Sequence, residues 1–412
     1  MRIAFLVNEF PALSEMFILQ QITGLLDRGH DVDIYSALPP RVGKIHADVE
    51  RYQLLARTTY WPTIHSDLPQ RALCAAKLSL ELAFSCPRIL LEALNFRARG
   101  PQWKSGRFIF AGAGLRKTHE CYDIIQCHFG TLGLVGSFLK EIGVLSGPMV
   151  TAFHGADVNV SPQKWGVGVY NSLFRTPGLF TANSNYTRDA VIRLGCDPAR
   201  IHILRMGTDP AEFPFRERVL HAEEIPTVLT IGRLTEKKGI EIGIRAIGLL
   251  AQRGVLVRYH VVGDGPLRSH LEGVIRDLGL EDRVQLLGSR VRQEVIEELS
   301  RAHLFVLPSV TTRDGDREGQ GVVLQEAQAA GLPVVATDHN GLPESFLPGV
   351  SGYLVPEYDP NALADRLQTL IENPQSWPEM GRSGRRFVES EFDLASLIQK
   401  QLAIYERARN LT

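Results

Sequence analysis

Apolar and β-branched residues fall in short runs separated by longer amphipathic stretches, and this rhythm persists along most of the chain. In the first half the runs lie at residues 3–7, 32–35, 124–127, 149–153, 179–182 and 201–204. A charged, proline-bearing stretch at 213–226 interrupts the rhythm, which restarts at 228–231, 259–262, 284–287, 304–307, 334–337 and 353–355. Short apolar runs bounded by turn residues predict buried strands, and their alternation with helices predicts parallel sheets covered on both faces. Between the runs, residues 19–28 repeat apolar positions at helical spacing and end in Gly29 and His30, a helix followed by a glycine stop. Residues 394–408 predict a closing amphipathic helix.

The expected fold class is therefore α/β, with two Rossmann-like, doubly wound parallel-sheet domains. At 412 residues the chain exceeds one ordinary core. The expected division is 1–217, 218–391 and a terminal segment 392–412. Most predicted strands end in polar or glycine residues: Asn8 and Glu9, His128 to Gly130, His154 to Asp157, Gly232 and Arg233, Gly263 to Gly265, Pro308 and Ser309. Ligands of open parallel sheets bind at those carboxyl ends, and two such sheets facing a central cleft would supply a small-molecule site.

Charge and composition narrow the partners. A net charge of -1 argues against nucleic acid. Residues 41–118 nevertheless hold 13 Lys and Arg against 5 Asp and Glu, a local basic patch. The apolar stretch 72–94 is broken by Lys77, Glu81, Pro87, Arg88 and Glu92, whereas a spanning helix needs ~20 nearly uncharged residues. The five cysteines are scattered, with no paired spacing to hold a metal, and read as reduced cytosolic thiols. A strand that opens at Arg2 leads us to expect no secretion signal, and hence a cytoplasmic protein.

The candidate chemistry concentrates in the second half. Glu318 and Glu326 stand eight apart in a glycine turn that runs into a helix. Gly319 and Gly321 would let backbone N–H groups approach a phosphate at the helix N-terminus, with Glu318 facing a small polar ligand and Glu326 accepting from a ribose diol. A solvated helix with incidental acids is the competing account of this spacing alone. Gly232, Arg233, Lys238 and Gly239 follow a strand and open a helix, so the two cations can converge on one anion such as a diphosphate. A solvated charged loop stays open as the alternative. Gly263 and Gly265 begin like a dinucleotide fingerprint, but Arg268 stands where the third glycine belongs. They read as a tight turn that admits a nucleotide or as a plain strand-to-helix turn.

In the first half, His154 sits at a strand's carboxyl end before Gly155 and Asp157, where it can donate to a phosphate or sugar hydroxyl. His128 is a weaker candidate of the same kind, and the stretch 11–17, with Ser14 and Glu15, reads as a ligand contact or a helix cap. Asp314 and Asp316 read as a solvent loop; no metal site is expected.

Taken together, Gly232 and Arg233 with Lys238 and Gly239, Gly263 to Pro266, Pro308 and Ser309, Glu318 with Glu326, and Gly331 to Val335 followed by Gly341 to Glu344 resemble the large family 4 of retaining glycosyltransferases with the two-domain GT-B fold. Residues 11–17, His128 to Gly130, His154 to Asp157 and Met206 to Asp209 resemble its branch of colanic-acid and other exopolysaccharide transferases. By that resemblance Arg233 and Lys238 bind the donor diphosphate, Glu318 the sugar hydroxyls, Glu326 the ribose, and His154 the sugar or phosphate beside the anomeric carbon. The amides of Gln320, Gly321 and Val322 complete the phosphate site, although Gln320 replaces an aromatic residue common in the family. The resemblance further implies no metal or other cofactor, since the nucleotide-sugar is a substrate, and a closing helix from 392 that crosses back to the first domain.

The expected reaction moves a sugar from a nucleotide-sugar to a saccharide acceptor, lipid-linked if the basic patch docks on an anionic membrane at the inner face of the cytoplasmic membrane. Ser14, Glu15, His128 and Asp157 are the candidate acceptor contacts. A basic helical insertion packed on the first domain is the alternative use of residues 41–118. A nucleotide-sugar epimerase of the same fold, or a non-catalytic sugar-nucleotide-binding subunit, are the competing functions.

Overall fold

The computed structural model describes residues 1–12, 15–40, 46–62, 67–95, 100–118 and 120–411. They form two units, Met1–Leu204 with Ala395–Thr412, and Arg205–Leu394. Strands of the first unit are β1 (Arg2–Glu9), β2 (Asp31–Leu38), β3 (Thr58–Tyr60), β4 (Glu120–Cys121), β5 (Ile124–His128), β6 (Leu145–Ser146), β7 (Met149–Phe153), β8 (Leu179–Ala182) and β9 (Ile201–Ile203). β4 and β6 pair only with each other, while the other seven form one sheet in the order β3-β2-β1-β5-β7-β8-β9. Every pairing in it is parallel. β5, β7 and β8 are buried at every residue, which is why apolar residues dominate them, interrupted only by Gln126, His128, Thr151 and Thr181.

The second unit repeats the scheme with β10 (Thr227–Ile231), β11 (Arg258–Val262), β12 (Val284–Gly288), β13 (Leu304–Leu307), β14 (Val334–Thr337) and β15 (Gly352–Val355), in the order β12-β11-β10-β13-β14-β15. These pairings are parallel as well. In each unit the chain winds outward in one direction and then in the other. The reversals fall between β1 and β5 and between β10 and β13, the switch points at which an open sheet offers a ligand crevice.

All the expected strands are present. β3 escaped prediction because Thr58, Thr59 and Tyr60 lack an apolar run, and β4 and β6 because two residues carry no periodicity. The first unit ends at Leu204 instead of 217, and the physical reason lies in residues 205–218. Phe213 is buried in the second unit's core with Leu229 and Leu307. The Arg218 guanidinium donates to the carbonyls of Leu299, Ser300 and Ala330. The terminal helix Leu394–Arg409 belongs largely to the first unit, where Tyr405 Oη donates to Gln126 Oε1 on β5 at 3.0 Å and Gln401 Nε2 donates to Gln21 Oε1 at 3.2 Å.

The stretch 72–94 is two helices, Leu68–Ser85 and Pro87–Leu94, because Pro87 lacks the N–H that would continue the first. No helix among the described residues is long and apolar enough to cross a membrane.

Candidate active site

The second unit's switch point brings together residues from two loops. Lys238 closes a short turn after β10, Glu318 precedes the helix Val322–Ala329, and Lys238 Nζ lies 2.5 Å from Glu318 Oε2. Both side chains are mostly buried. Burial alone would raise the Glu318 pKa, but Lys238, Lys237 and His339 outweigh it and hold the carboxyl below its ordinary value. Gly239, at φ 59°, lets the two loops meet, since a Cβ there would fall 1.8 Å from the Pro308 carbonyl oxygen.

The backbone around Glu318 is held from the far side. Its N–H donates to His339 Nε2 at 3.0 Å, and its carbonyl accepts from Asn340 Nδ2 at 3.1 Å. His339 Nδ1 in turn contacts Glu357 Oε1 at 2.7 Å, and Glu357 Oε2 accepts the Thr311 N–H at 2.6 Å. Three loops, after β13, β14 and β15, are thereby cross-braced at the acid. Sequence reasoning missed His339 and Glu357, which no local motif marks.

Gln320 turns its amide onto Met206, accepting from the Met206 N–H and donating to its carbonyl, each at 2.7 Å. It braces the start of the second unit, and the Gln320 carbonyl accepts from Ser345 Oγ. Gly321, at φ 70°, caps the helix without a side-chain acceptor, and its carbonyl accepts the first-turn N–H of Leu324 at 2.8 Å. Glu326 lies inside the helix with Oε1 held by Arg292 Nη1 at 2.5 Å, and Arg292 also binds Glu212 at 2.7 Å. Arg292 is a third residue the motifs did not reveal. Arg233 is exposed, and its side chain makes no hydrogen bond or ion pair with the described residues. Gly263 and Gly265, expected at the donor, are required by loop packing: a Cβ would fall 1.9 Å from the Gly232 oxygen or 2.5 Å from that of Leu234. Asp316 Oδ2 is engaged by Lys237 at 3.1 Å, and no group of three metal-ligating side chains occurs among the described residues.

In the first unit the carboxyl ends of β5 and β7 carry a histidine pair. His128 Nδ1 and His154 Nε2 are 3.3 Å apart, with the rings stacked at 12° and Phe17 and Phe129 against His154. Burial pushes His154 down to about 3 and His128 well below its ordinary value, so both rings are neutral near pH 7. Where His128 donates, His154 keeps its proton on Nδ1, an atom with no partner among the described residues. Asp157, expected to contact an acceptor, is corrected to a backbone anchor. Its oxygens accept the N–H groups of His154 and Gly130, both at 2.8 Å, inside the fold. Glu15 precedes the helix Met16–Leu26, and burial, then Glu9, raises its carboxyl to about 7. Ser14 lies outside the described residues.

Comparison with known proteins fits this geometry. Residues 14–212 match the model of the family described as Glycosyltransferase Family 4, and residues 212–387 that of Glycosyl transferases group 1. Amylovoran biosynthesis glycosyltransferase AmsK of Erwinia amylovora is 36% identical over 416 residues, covering 99% of this chain and 100% of that one. The chain belongs to glycosyltransferase family 4. Another relative, the putative colanic acid biosynthesis glycosyltransferase WcaL of Escherichia coli K12, is 34% identical over 97% of this chain and 100% of its own length. Among solved structures, Anabaena Alr3699/HepE in complex with UDP aligns with a TM-score of 0.69 at 22% identity, covering 98% and 99% of the two chains. The fold of this family 4 enzyme is GT-B, and its reaction is sugar transfer from a nucleotide-sugar donor. The epimerase and silent-subunit readings are not favoured.

Proposed function

We propose that this glycosyltransferase is retaining and metal-independent, and that it extends a lipid-linked saccharide in exopolysaccharide biosynthesis at the inner face of the cytoplasmic membrane. The ion pair of Lys238 with Glu318 across the second unit's switch point carries the reading, because it sets a cation and a hydrogen-bond acceptor side by side where a sugar diphosphate needs both. Donor binding separates their roles. Lys238 turns to the diphosphate with Arg233, and Glu318, released, accepts from sugar hydroxyls while Glu326 accepts from the ribose. As the bond from the anomeric carbon to the phosphate oxygen breaks, charge grows on the leaving diphosphate and meets the two cations and the helix N-terminus. The acceptor oxygen bonds to the anomeric carbon from the same face, and its proton passes to the leaving phosphate oxygen. The relatives named for amylovoran and colanic acid support the polymer class.

A thermal-shift screen of UDP-, GDP- and ADP-sugars tests the donor, because a ligand that binds only the folded chain raises its stability with occupancy. One nucleotide class should shift the wild type and fail to shift Lys238→Met. No shift from any class, or product with an inverted anomeric signal by NMR, sinks the proposal.

A further inference from the structure

The first unit's switch point holds a cation with no acidic partner among the described residues. Arg107, the first residue of the helix Arg107–Leu115, reaches across the carboxyl ends of β1 and β5. Its Nη2 donates to Asn8 Oδ1 at 3.3 Å, and its Nη1 to Thr131 Oγ1 at 3.4 Å, one residue into the helix that follows β5. Both contacts are long and both partners are neutral. A guanidinium has five N–H donors, so most of its capacity is unused. No acidic side chain among the described residues pairs with it, whereas other arginines that cross-link this unit, such as Arg2, have carboxylate partners. Burial accordingly lowers the Arg107 pKa with no acid to offset it. The residue is only partly covered, so a ligand can reach it. Along the same edge the buried His128 and His154 leave Nε2 and Nδ1, respectively, without partners among the described residues.

A partly covered arginine with no acidic partner among the described residues has donor capacity to spare, and its planar fork selects oxyanions. Its position is where an open parallel sheet takes its ligand. We propose that Arg107, with Asn8 and Thr131, forms a subsite for an oxyanion, so that the acceptor of this enzyme presents a carboxylate or a phosphate to the first unit. This deepens the proposed function by naming the acceptor's charge, and it rests on that reading. A uronate in the saccharide and the diphosphate of a lipid carrier share this chemistry.

The experiment uses the full chain and two probes, sodium D-glucuronate and dodecyl diphosphate, titrated calorimetrically into wild type, Arg107→Met, Arg107→Lys and Lys238→Met, with methyl glucoside as the neutral control. One probe should bind wild type, lose about ten- to a hundredfold in affinity in Arg107→Met, as expected for removal of charge-assisted hydrogen bonds, and bind Lys238→Met as before. Which probe does so identifies the source of the anion. If Arg107→Met does not fold, the same comparison is made with Arg107→Lys, which keeps the charge but loses the fork and should weaken binding severalfold. Loss in Lys238→Met with retention in both Arg107 variants assigns the anion to the donor loops and overturns the subsite while leaving the proposed function standing. Binding of neither probe, or equal binding of the neutral control, also overturns it.

Discussion

The backbone N–H of Glu318 donates to Nε2 of His339 at 3.0 Å. A ring nitrogen that accepts carries no proton, so the imidazole holds its proton on Nδ1, which faces Glu357 at 2.7 Å. Glu357 thus fixes the tautomer and the tautomer fixes the loop that carries the acid. His339→Ala removes the acceptor and frees that loop. We expect turnover at saturating donor to fall roughly 10²-fold, the effect of a misplacement of about 1 Å. His339→Asn, whose side-chain oxygen can accept, should retain part of it. Equal rates in all three proteins would deny His339 any positioning role.

Arg233 and Lys238 should separate activity from stability. Arg233 is exposed and has no partner among the described residues, so Arg233→Ala should change unfolding free energy by no more than ~0.5 kcal/mol. Its turnover should nevertheless fall about 10²- to 10³-fold, as when one preorganised donor is removed. Lys238→Ala strands Glu318 in a mostly buried position, which is expected to destabilise by about 3–5 kcal/mol. Urea denaturation beside steady-state rates gives both readouts. An unchanged rate in Arg233→Ala would remove that residue from the diphosphate.

The strands were legible because a buried parallel strand is made mostly of apolar residues, throughout at 304–307 and around Thr151 at 149–153. The Glu318 and Glu326 spacing was legible for a related reason: a glycine turn and the helix after it are both local. His339, Glu357, Arg292 and Arg107 were not. Each acts through a partner between 18 and 99 positions away, a distance that no turn or helix period encodes. Asp157 left a signal that could have been used, since an acid three residues beyond a helix cap is placed to accept the cap's own N–H.

The histidine pair makes stability depend on pH. His128 and His154 have folded pKa values below the unfolded one, so their contribution is present above about 6.5 and is lost as pH falls from there toward 3. Between pH 7 and 5.5 each ring should withdraw about 1 kcal/mol. Asp157, raised to about 7 by burial, acts with the opposite sign, but it is common to wild type and variant. The urea midpoint of wild type should therefore drop further over this interval than that of His154→Asn. Parallel midpoints would show that His154 is not held neutral by the fold.

The first unit presents an apolar stripe to solvent. Leu73, Leu80 and Phe84 are 75%, 63% and 85% exposed, and their spacing puts them on one face of the helix Leu68–Ser85 with Lys77 between them. Part of the basic surplus in the sequence 41–118, Arg41, Lys44, Arg97 and Arg99, lies outside the described residues. Apolar side chains that insert into a bilayer beside cations attracted to its surface make a peripheral anchor. Wild type should sediment with vesicles containing phosphatidylglycerol and not with phosphatidylcholine alone. Leu80→Ser with Phe84→Ser should reduce the bound fraction about tenfold or more, since each buried apolar side chain contributes roughly 1.5–3 kcal/mol. Sedimentation that ignores lipid charge and survives both substitutions would assign the stripe to something other than a membrane.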